Sequence, residues 1–217
     1  IKRAFSLIRL YGFKIHSHLM VNLLGATPEA DKQDFKTFVT YPGFLPDEIK
    51  LYPCALVAGT QLVQKYREGA WQPYAKDELV DVLVQDVLNT PPYVRISRMI
   101  RDISATDILV GNKHTNLRQM VEQELAAEDV ARRVQEIRFR EINQQQVRAA
   151  ELTLQDFTYT TAVSDEHFLQ WVTADNKIAG FCRLSLSHWD KLTSGACDVS
   201  ADELLVKPGQ AMIRELH

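Results

Sequence analysis

Up to Ile100 the chain alternates between a helical and an extended hydrophobic period, and this alternation limits the fold more than any other feature. IKRAFSLIRLYG places Ile1, Phe5 and Ile8 on one helical face and closes on Gly12 as a C-cap. FKIHSHLMV then interleaves Phe13, Ile15 and Leu19 with polar residues, as a strand does. Thr27-Pro28-Glu29 supplies an N-cap and a proline at the first helical position, opening a helix that runs to about Val39 before Tyr41-Pro42-Gly43 breaks it. EIKLYPCALVAG reads as a strand and TQLVQKYREG as a short helix ending at Gly69, with Thr60 as its N-cap. AKDELVDVLVQDVLNT is a helix stopped by Pro91-Pro92, and YVRISRMI is a strand. Strands and helices in this order predict a parallel sheet with helices packed outside it.

The pattern changes after Gly111. NLRQMVEQELAAEDVARR is helical and charged, and EIRFREINQQQ reads as a strand with a polar tail. From Ala150 strand patterns follow one another directly: ELTLQDFTYTTAV, HFLQWVTA, KIAGFCRLSLSH and QAMIRELH, with Asp175-Asn176 as a hairpin turn. The expected organisation is an α/β unit over 1–110, a linker over 111–148 and a largely antiparallel unit over 149–217. The last is about half the length such a domain needs. The chain begins with Ile inside a helical pattern and stops in the apolar run AMIRELH, so both ends read as cut.

Composition narrows the function classes. With 46% apolar and 24% charged residues and a net charge of −3, the chain has no global pull toward nucleic acid, so any such contact needs a local patch. No apolar run is long enough to span a bilayer, so no membrane partner is expected. Cys54, Cys182 and Cys197 are odd in number and widely spaced, which argues against a disulfide framework and for a reducing cytoplasm.

Several side chains have spacing that suits chemistry. His16 and His18 lie two apart on a strand and share a face, as do Lys50 and Tyr52 on the next. The histidines fit a ligand pocket, a hydrogen-bonded core pair or two ligands of a metal, although a third ligand is not evident. Lys50, near the start of its strand, equally suits a solvated edge, and Asn22 sits directly after its strand. Between Pro91 and Arg118 there are five lysines and arginines against two acids: Arg95, Arg98, Arg101, Lys113 and Arg118, with His114 beside them. Arginine forks match phosphates, and Tyr93 offers a stacking face for an unpaired base; the alternative is a solvated basic face. Glu166, Glu215 and His217 are candidate bases or ordinary strand residues.

Six blocks in order carry a family resemblance. GFKIHSHLMVNLLGATPEAD looks like GFKIHxHxMPNLPG followed by a Thr-Pro-Glu helix. PDEIKLYPCALVAGT looks like PDxLKIYPxxVxxGT, PPYVRISRMIRDIS like PPYxRIxRxxRDIP, and NLRQM like NLRxL. EHFLQW with GFCRLSL is similar to ExFLxx…GFxRLRL, and the final RELH to the start of RELHVYG. Together they resemble the Elongator catalytic subunit, in which a radical S-adenosylmethionine domain is joined to a GNAT-type acetyltransferase domain. Val21 and Leu24 stand where that family has prolines, as does Ser104. The family's linker block CRxxRCRE binds zinc, but the corresponding VARRVQEIRFREI contains no cysteine to hold it.

The resemblance implies the C-terminal part of a partial (β/α) barrel, a linker, and the N-terminal, mostly antiparallel part of a GNAT-like α+β domain. It implies an S-adenosylmethionine and substrate pocket at His16, His18, Asn22, Lys50 and Tyr52. It also implies a tRNA surface at Tyr93, Arg95, Arg98, Arg101, Lys113 and Arg118. An acetyl-CoA strand is expected at Ile213, Arg214, Glu215, Leu216 and His217. A 4Fe-4S cluster would take its ligands from upstream of Ile1, because more than a hundred residues separate Cys54 from Cys182; no metal ligands are expected within the chain itself. The implied activity is formation of a carboxymethyl group at C5 of the tRNA wobble uridine. A deoxyadenosyl radical would take hydrogen from the acetyl-CoA methyl, and the carbon radical would add to the base. As cut, the chain alone is expected to be inactive. Other Elongator subunits are implied partners, and the alternatives are a protein lysine acetyltransferase and a non-catalytic tRNA-binding scaffold.

Overall fold

The computed structural model describes residues 1–100, 103–104, 106–113, 116–197, 199, 202 and 204–217. Helix α1 (Lys2–Leu10) leads through Gly12, at φ +81°, to strand β1 (His16–Val21). Helix α2 (Pro28–Thr40), strand β2 (Glu48–Pro53), helices α3 (Leu62–Arg67) and α4 (Lys76–Leu88) and strand β4 (Arg95–Arg98) follow. The three long strands form a parallel sheet in the order β1-β2-β4, as the alternation predicts. The Thr27 hydroxyl caps α2 by accepting from Ala30 N at 3.2 Å.

Strand alternation gives the sheet two unlike faces. Val21, Ile49, Leu51 and Ile96 turn toward α2 and α4, where Phe35, Val39, Val82 and Leu83 complete a dry core. His16, His18, Lys50 and Tyr52 turn the other way, in register as His16 opposite Glu48, His18 opposite Lys50 and Met20 opposite Tyr52.

Four local expectations are corrected. Ile1 and Ile8 are exposed, and α1 instead buries Ser6, Arg9 and Leu10, because its partner is a charged network rather than an apolar wall. EIKLYPCALVAG divides after Pro53, and a short β3 (Leu56–Val57) pairs antiparallel with β5 (Ile108–Val110) in a separate sheet. Thr60 is not the cap of α3; its hydroxyl donates back to Val57 O at 2.8 Å and Gln61 holds the cap position. EIRFREINQQQ holds a helical turn, α7 (Ile137–Arg140), because Glu136 caps it by accepting from Phe139 N at 2.8 Å.

Between β5 and that turn run α5 (Leu117–Glu124) and α6 (Glu128–Ala131). Glu136 is fully buried and also accepts from Ile96 N at 2.6 Å, so it fastens this stretch to the third strand of the parallel sheet. Arg140, also buried, donates to Pro92 O, Gln135 O, Gln170 and Asn176, reaching both halves of the chain.

Strands β6 (Thr153–Thr160), β7 (Ser164–Val172), β8 (Ile178–Ser187) and β9 (Met212–Leu216) make an antiparallel sheet in chain order, with helix α8 (Trp189–Thr193) after β8. Phe168, Val172, Ile178 and Phe181 on its inner face join the same core as the parallel sheet. The rest of that face is polar: Ser164, Glu166, Gln170, Arg183, Ser185 and Arg214 are all buried. Asp47, just before β2, anchors the arginines of this set, and Glu166 anchors its serines. Arg214 grips it through two forked bonds of 2.7 and 2.8 Å and reaches Glu166 at 2.9 Å. Arg183 lies 3.5 Å from Asp47 and bonds Glu215 at 2.8 Å, while Arg9 approaches Glu166 at 3.5 Å. Ser164 and Ser185 both donate to Glu166 at 2.6 Å. Burial pushes the Asp47 carboxyl up, but Arg214, Arg183 and Arg9 outweigh it and hold it well below the usual carboxylate range.

Two predictions follow from these buried carboxylates. Asp47→Ala leaves three buried guanidiniums short of a counter-charge and is expected to destabilise the chain by about 3–5 kcal/mol in urea denaturation at pH 7. The Asp47 contribution is present above an unfolded pKa of ~3.9 and is lost as pH falls through its depressed folded value, so the wild-type advantage should shrink only in strong acid. Asp86 on α4 behaves in the opposite sense, because burial and neighbouring Asp31 push its carboxyl up to about 8. Its unfolded form ionises first, so stability falls as pH rises from ~4 toward that value and then levels. Asp86→Asn should therefore stabilise the chain, by roughly 1–3 kcal/mol at pH 8 and less at pH 5, read from denaturation midpoints.

Candidate functional site

The face of the parallel sheet away from α2 and α4 carries the densest set of chemically active side chains. The His16 and His18 rings lie 5.4 Å apart, and His18 meets Tyr52 edge-on at 5.7 Å. A register shift between Ile49 and Lys50 sets Arg98 opposite Lys50 in the strand pairing. Glu48 lies at its lower edge, 3.6 Å from His16 and 2.9 Å from Lys14. Burial lowers the His16 pKa against the pull of Glu48, and Lys50, His18 and Lys14 lower it further. A neutral imidazole beside cations accepts or donates a proton near neutral pH, and the ammonium and guanidinium attract anionic groups. His16 and His18 are solvent-exposed, whereas Tyr52 is largely covered.

Asn22 is separated from this row by its role in the chain's own scaffold. It sits at φ +62° after β1 and is buried. Its side chain donates to Gln72 O at 3.2 Å and accepts from Tyr74 N at 2.9 Å. Its main chain donates to Asp31 at 2.7 Å and accepts from the Trp71 indole at 2.8 Å.

The basic stretch divides by orientation. Tyr93 is buried and stacked on Tyr159 at 3.7 Å, which corrects the expectation of a ring open to a base. Arg118 turns inward, donating to Ile96 O and Glu122 at 2.7 Å each and approaching Glu136 at 3.5 Å. Arg95 pairs with Glu141 at 2.8 Å. Lys113 is exposed. Arg101 and His114 lie outside the described residues. Arg98 lines a cavity of about 430 Å³ with Asn116, Arg118 and Arg138. The Arg138 guanidinium donates to Ser97 O at 2.6 Å. Arg138 was not singled out by the sequence reading; only its place in an arginine-rich turn signals it.

Strand β9 is partly structural. Arg214 is consumed by Asp47 and Glu166, and Glu215 by Arg183 and Lys14. His217 exchanges backbone bonds with Phe181 and its ring lies 5.2 Å from the Phe181 ring. Ile213 and Leu216 point to solvent.

The three cysteines do not fit an iron–sulfur cluster. Cys54 follows β2, Cys182 is on β8 and Cys197 lies beyond α8, and among the described residues no group of three His, Cys, Asp or Glu side chains is placed to hold a metal. Among the same residues no helix is long and apolar enough to cross a membrane.

Comparison with known proteins bears on the family. The family model of the Radical_SAM C-terminal domain matches residues 46–127, from the loop before β2 through α5. A tRNA uridine(34) acetyltransferase of Dehalococcoides mccartyi is 34% identical over all of this chain and 46% of its own length. One from Methanocaldococcus infernus is 39% identical over 55% of the chain and 22% of its own length. Human Elongator complex protein 3 is 28% identical over 99% of the chain and 38% of its own length. The chain thus spans less than half the length of these curated relatives. The solved archaeal Methanocaldococcus infernus Elp3 with an N-terminal deletion (1–46) superposes with a TM-score of 0.83 at 28% identity, covering the whole chain and 49% of that structure. The chain belongs to the family of the tRNA uridine(34) acetyltransferases and Elongator complex protein 3, and carries its Radical_SAM C-terminal domain.

Proposed function

We propose that this chain supplies one wall of the reaction chamber, and part of the tRNA-binding surface, of a cytoplasmic enzyme that modifies the wobble uridine of tRNA. The single observation that carries the reading is the row of His16, His18, Tyr52 and Lys50 on one face of the parallel sheet, with Arg98 paired opposite Lys50. In this reading the imidazoles and the phenol orient the uridine and hold or move a proton at its edge. Lys50 and Arg98 take the adjoining phosphates or the carboxylate of S-adenosylmethionine. The names and coverage of the relatives support the substrate assignment, and a carboxymethyl product at C5 is the finer form of the proposal.

S-adenosylmethionine and a 4Fe-4S cluster would supply the radical chemistry when bound, and this chain's cysteines are not the cluster's ligands. The antiparallel sheet is read as part of a GNAT-like unit in which the open edge of β9, at Ile213 to His217, would run beside acetyl-CoA. Other Elongator subunits are proposed partners through the same kinship.

The test uses a chimera in which this chain replaces the aligned half of the Dehalococcoides mccartyi relative. His18→Ala and Lys50→Ala should each lower modified uridine by roughly 10²-fold or more, His18→Ala with little change in tRNA affinity. Lys113→Ala should weaken tRNA binding and reduce the slope of log affinity against log salt by about 1, with little effect on turnover at saturating tRNA. Full activity in both wall variants would overturn the reading, as would acetyl transfer to lysine peptides without any need for tRNA.

A further inference from the structure

We propose that the cavity between β1, α2 and α4 is a binding site for an aliphatic organic cation, an alkylammonium or alkylguanidinium group, with Asp86 and Asp31 as its anionic end. The cavity has a volume of about 550 Å³, within the range of small-ligand sites. Its walls are apolar, from Leu19, Met20, Phe35 and Leu51, and Leu23 and Leu24 form a half-exposed lip. Asp86 lines it with 1% exposure, and neither of its carboxylate oxygens has a hydrogen-bond partner among the described residues. A buried carboxylate left in that state costs free energy unless it is protonated or given a counter-charge.

The neighbouring charges fix the sign of the ligand. From α2, Asp31 and Asp34 line the same cavity, and Lys32 is drawn away to Asp81 of α4 at 2.5 Å. From β1 the titratable lining group is His18. Asp31 already accepts from Asn22 N and the Tyr74 hydroxyl at its Oδ2, both at 2.7 Å, so it is anchored within reach of Asp86's field. An anion is repelled here. An inorganic cation lacks the several oxygen ligands it needs, since no three-ligand group is present among the described residues. A cationic head on a hydrocarbon stem satisfies both the carboxylates and the apolar walls. Burial keeps Asp86 largely protonated at neutral pH, so binding should release a proton. The inference does not rest on the tRNA reading, although His18 borders both the cavity and the row.

The experiment is calorimetry on the 217-residue chain with two probes, agmatine for a free amine and Nα-acetylarginine amide for a protein side chain. It is run between pH 6.5 and 8.5 in buffers of differing ionisation enthalpy. Binding by either probe is expected, with release of close to one proton near neutral pH, and at least roughly tenfold weaker in Asp86→Asn. The tighter probe identifies the natural source. Carboxyl ¹³C NMR of the wild-type chain should move the Asp86 resonance to its ionised position on saturation. Equal affinity in the wild type and Asp86→Asn, absence of binding by both probes, or an Asp86 resonance that stays protonated would each overturn the proposal.

Discussion

The Asp47 carboxylate is the point on which the two sheets depend. It precedes the central strand of the parallel sheet and is gripped by Arg214 from the last strand of the antiparallel one, with Arg183 and Arg9 beside it. Three guanidiniums face Asp47, Glu166 and Glu215, so the buried cluster is balanced in charge. Apolar surfaces tolerate sliding, whereas a forked arginine–carboxylate pair works in one geometry. The pairing therefore fixes the angle and register at which the antiparallel sheet meets the core. Lys14 extends the same constraint outward by bridging Glu48 of β2 to Glu215 of β9, at 2.9 and 3.1 Å.

That fixed joint lets the parallel sheet specialise. One face is given wholly to packing against α2 and α4, and the other is freed for His16, His18, Lys50 and Tyr52. A fully apolar sheet, buried on both faces, would have no room for such a row. The charge balance matters as well. The chain is slightly acidic overall, so any attraction for an anion depends on local groups such as Lys50 and Lys113.

Periodicity made the strands, the long helices and the row itself legible, because His16/His18 and Lys50/Tyr52 need only the two-residue repeat of a strand. Long-range pairing was not legible. Nothing local in the sequence marks Arg9 as the partner of Glu166, and Arg214 meets Asp47 across 167 positions of chain. The distant partners of Tyr93 and Arg118 were hidden for the same reason: Tyr159 stacks on the first and Glu136 approaches the second. Asp86 did carry a local signal. Leu79, Val82, Leu83 and Asp86 recur at helical spacing along one stripe of α4, and a carboxylate in such a stripe is a departure that asks for a partner.

Asp47 and Asp86 are the same residue in nearly the same degree of burial, and their environments drive them apart. Burial opposes the charge on both. Around Asp47 the chain folds three arginines back to offset that opposition, and the carboxylate becomes a strut. Around Asp86 the stronger charge interaction is with another carboxylate, Asp31, and the cation that acts on it, Lys32, is engaged by Asp81. The first arrangement has no interaction left to offer. The second holds an unfavourable state that an incoming cation relieves, so affinity there comes from removing an existing cost as well as from new contacts. A buried carboxyl answered by arginines therefore serves the architecture, and one that stays protonated for want of a close cation is poised to accept one.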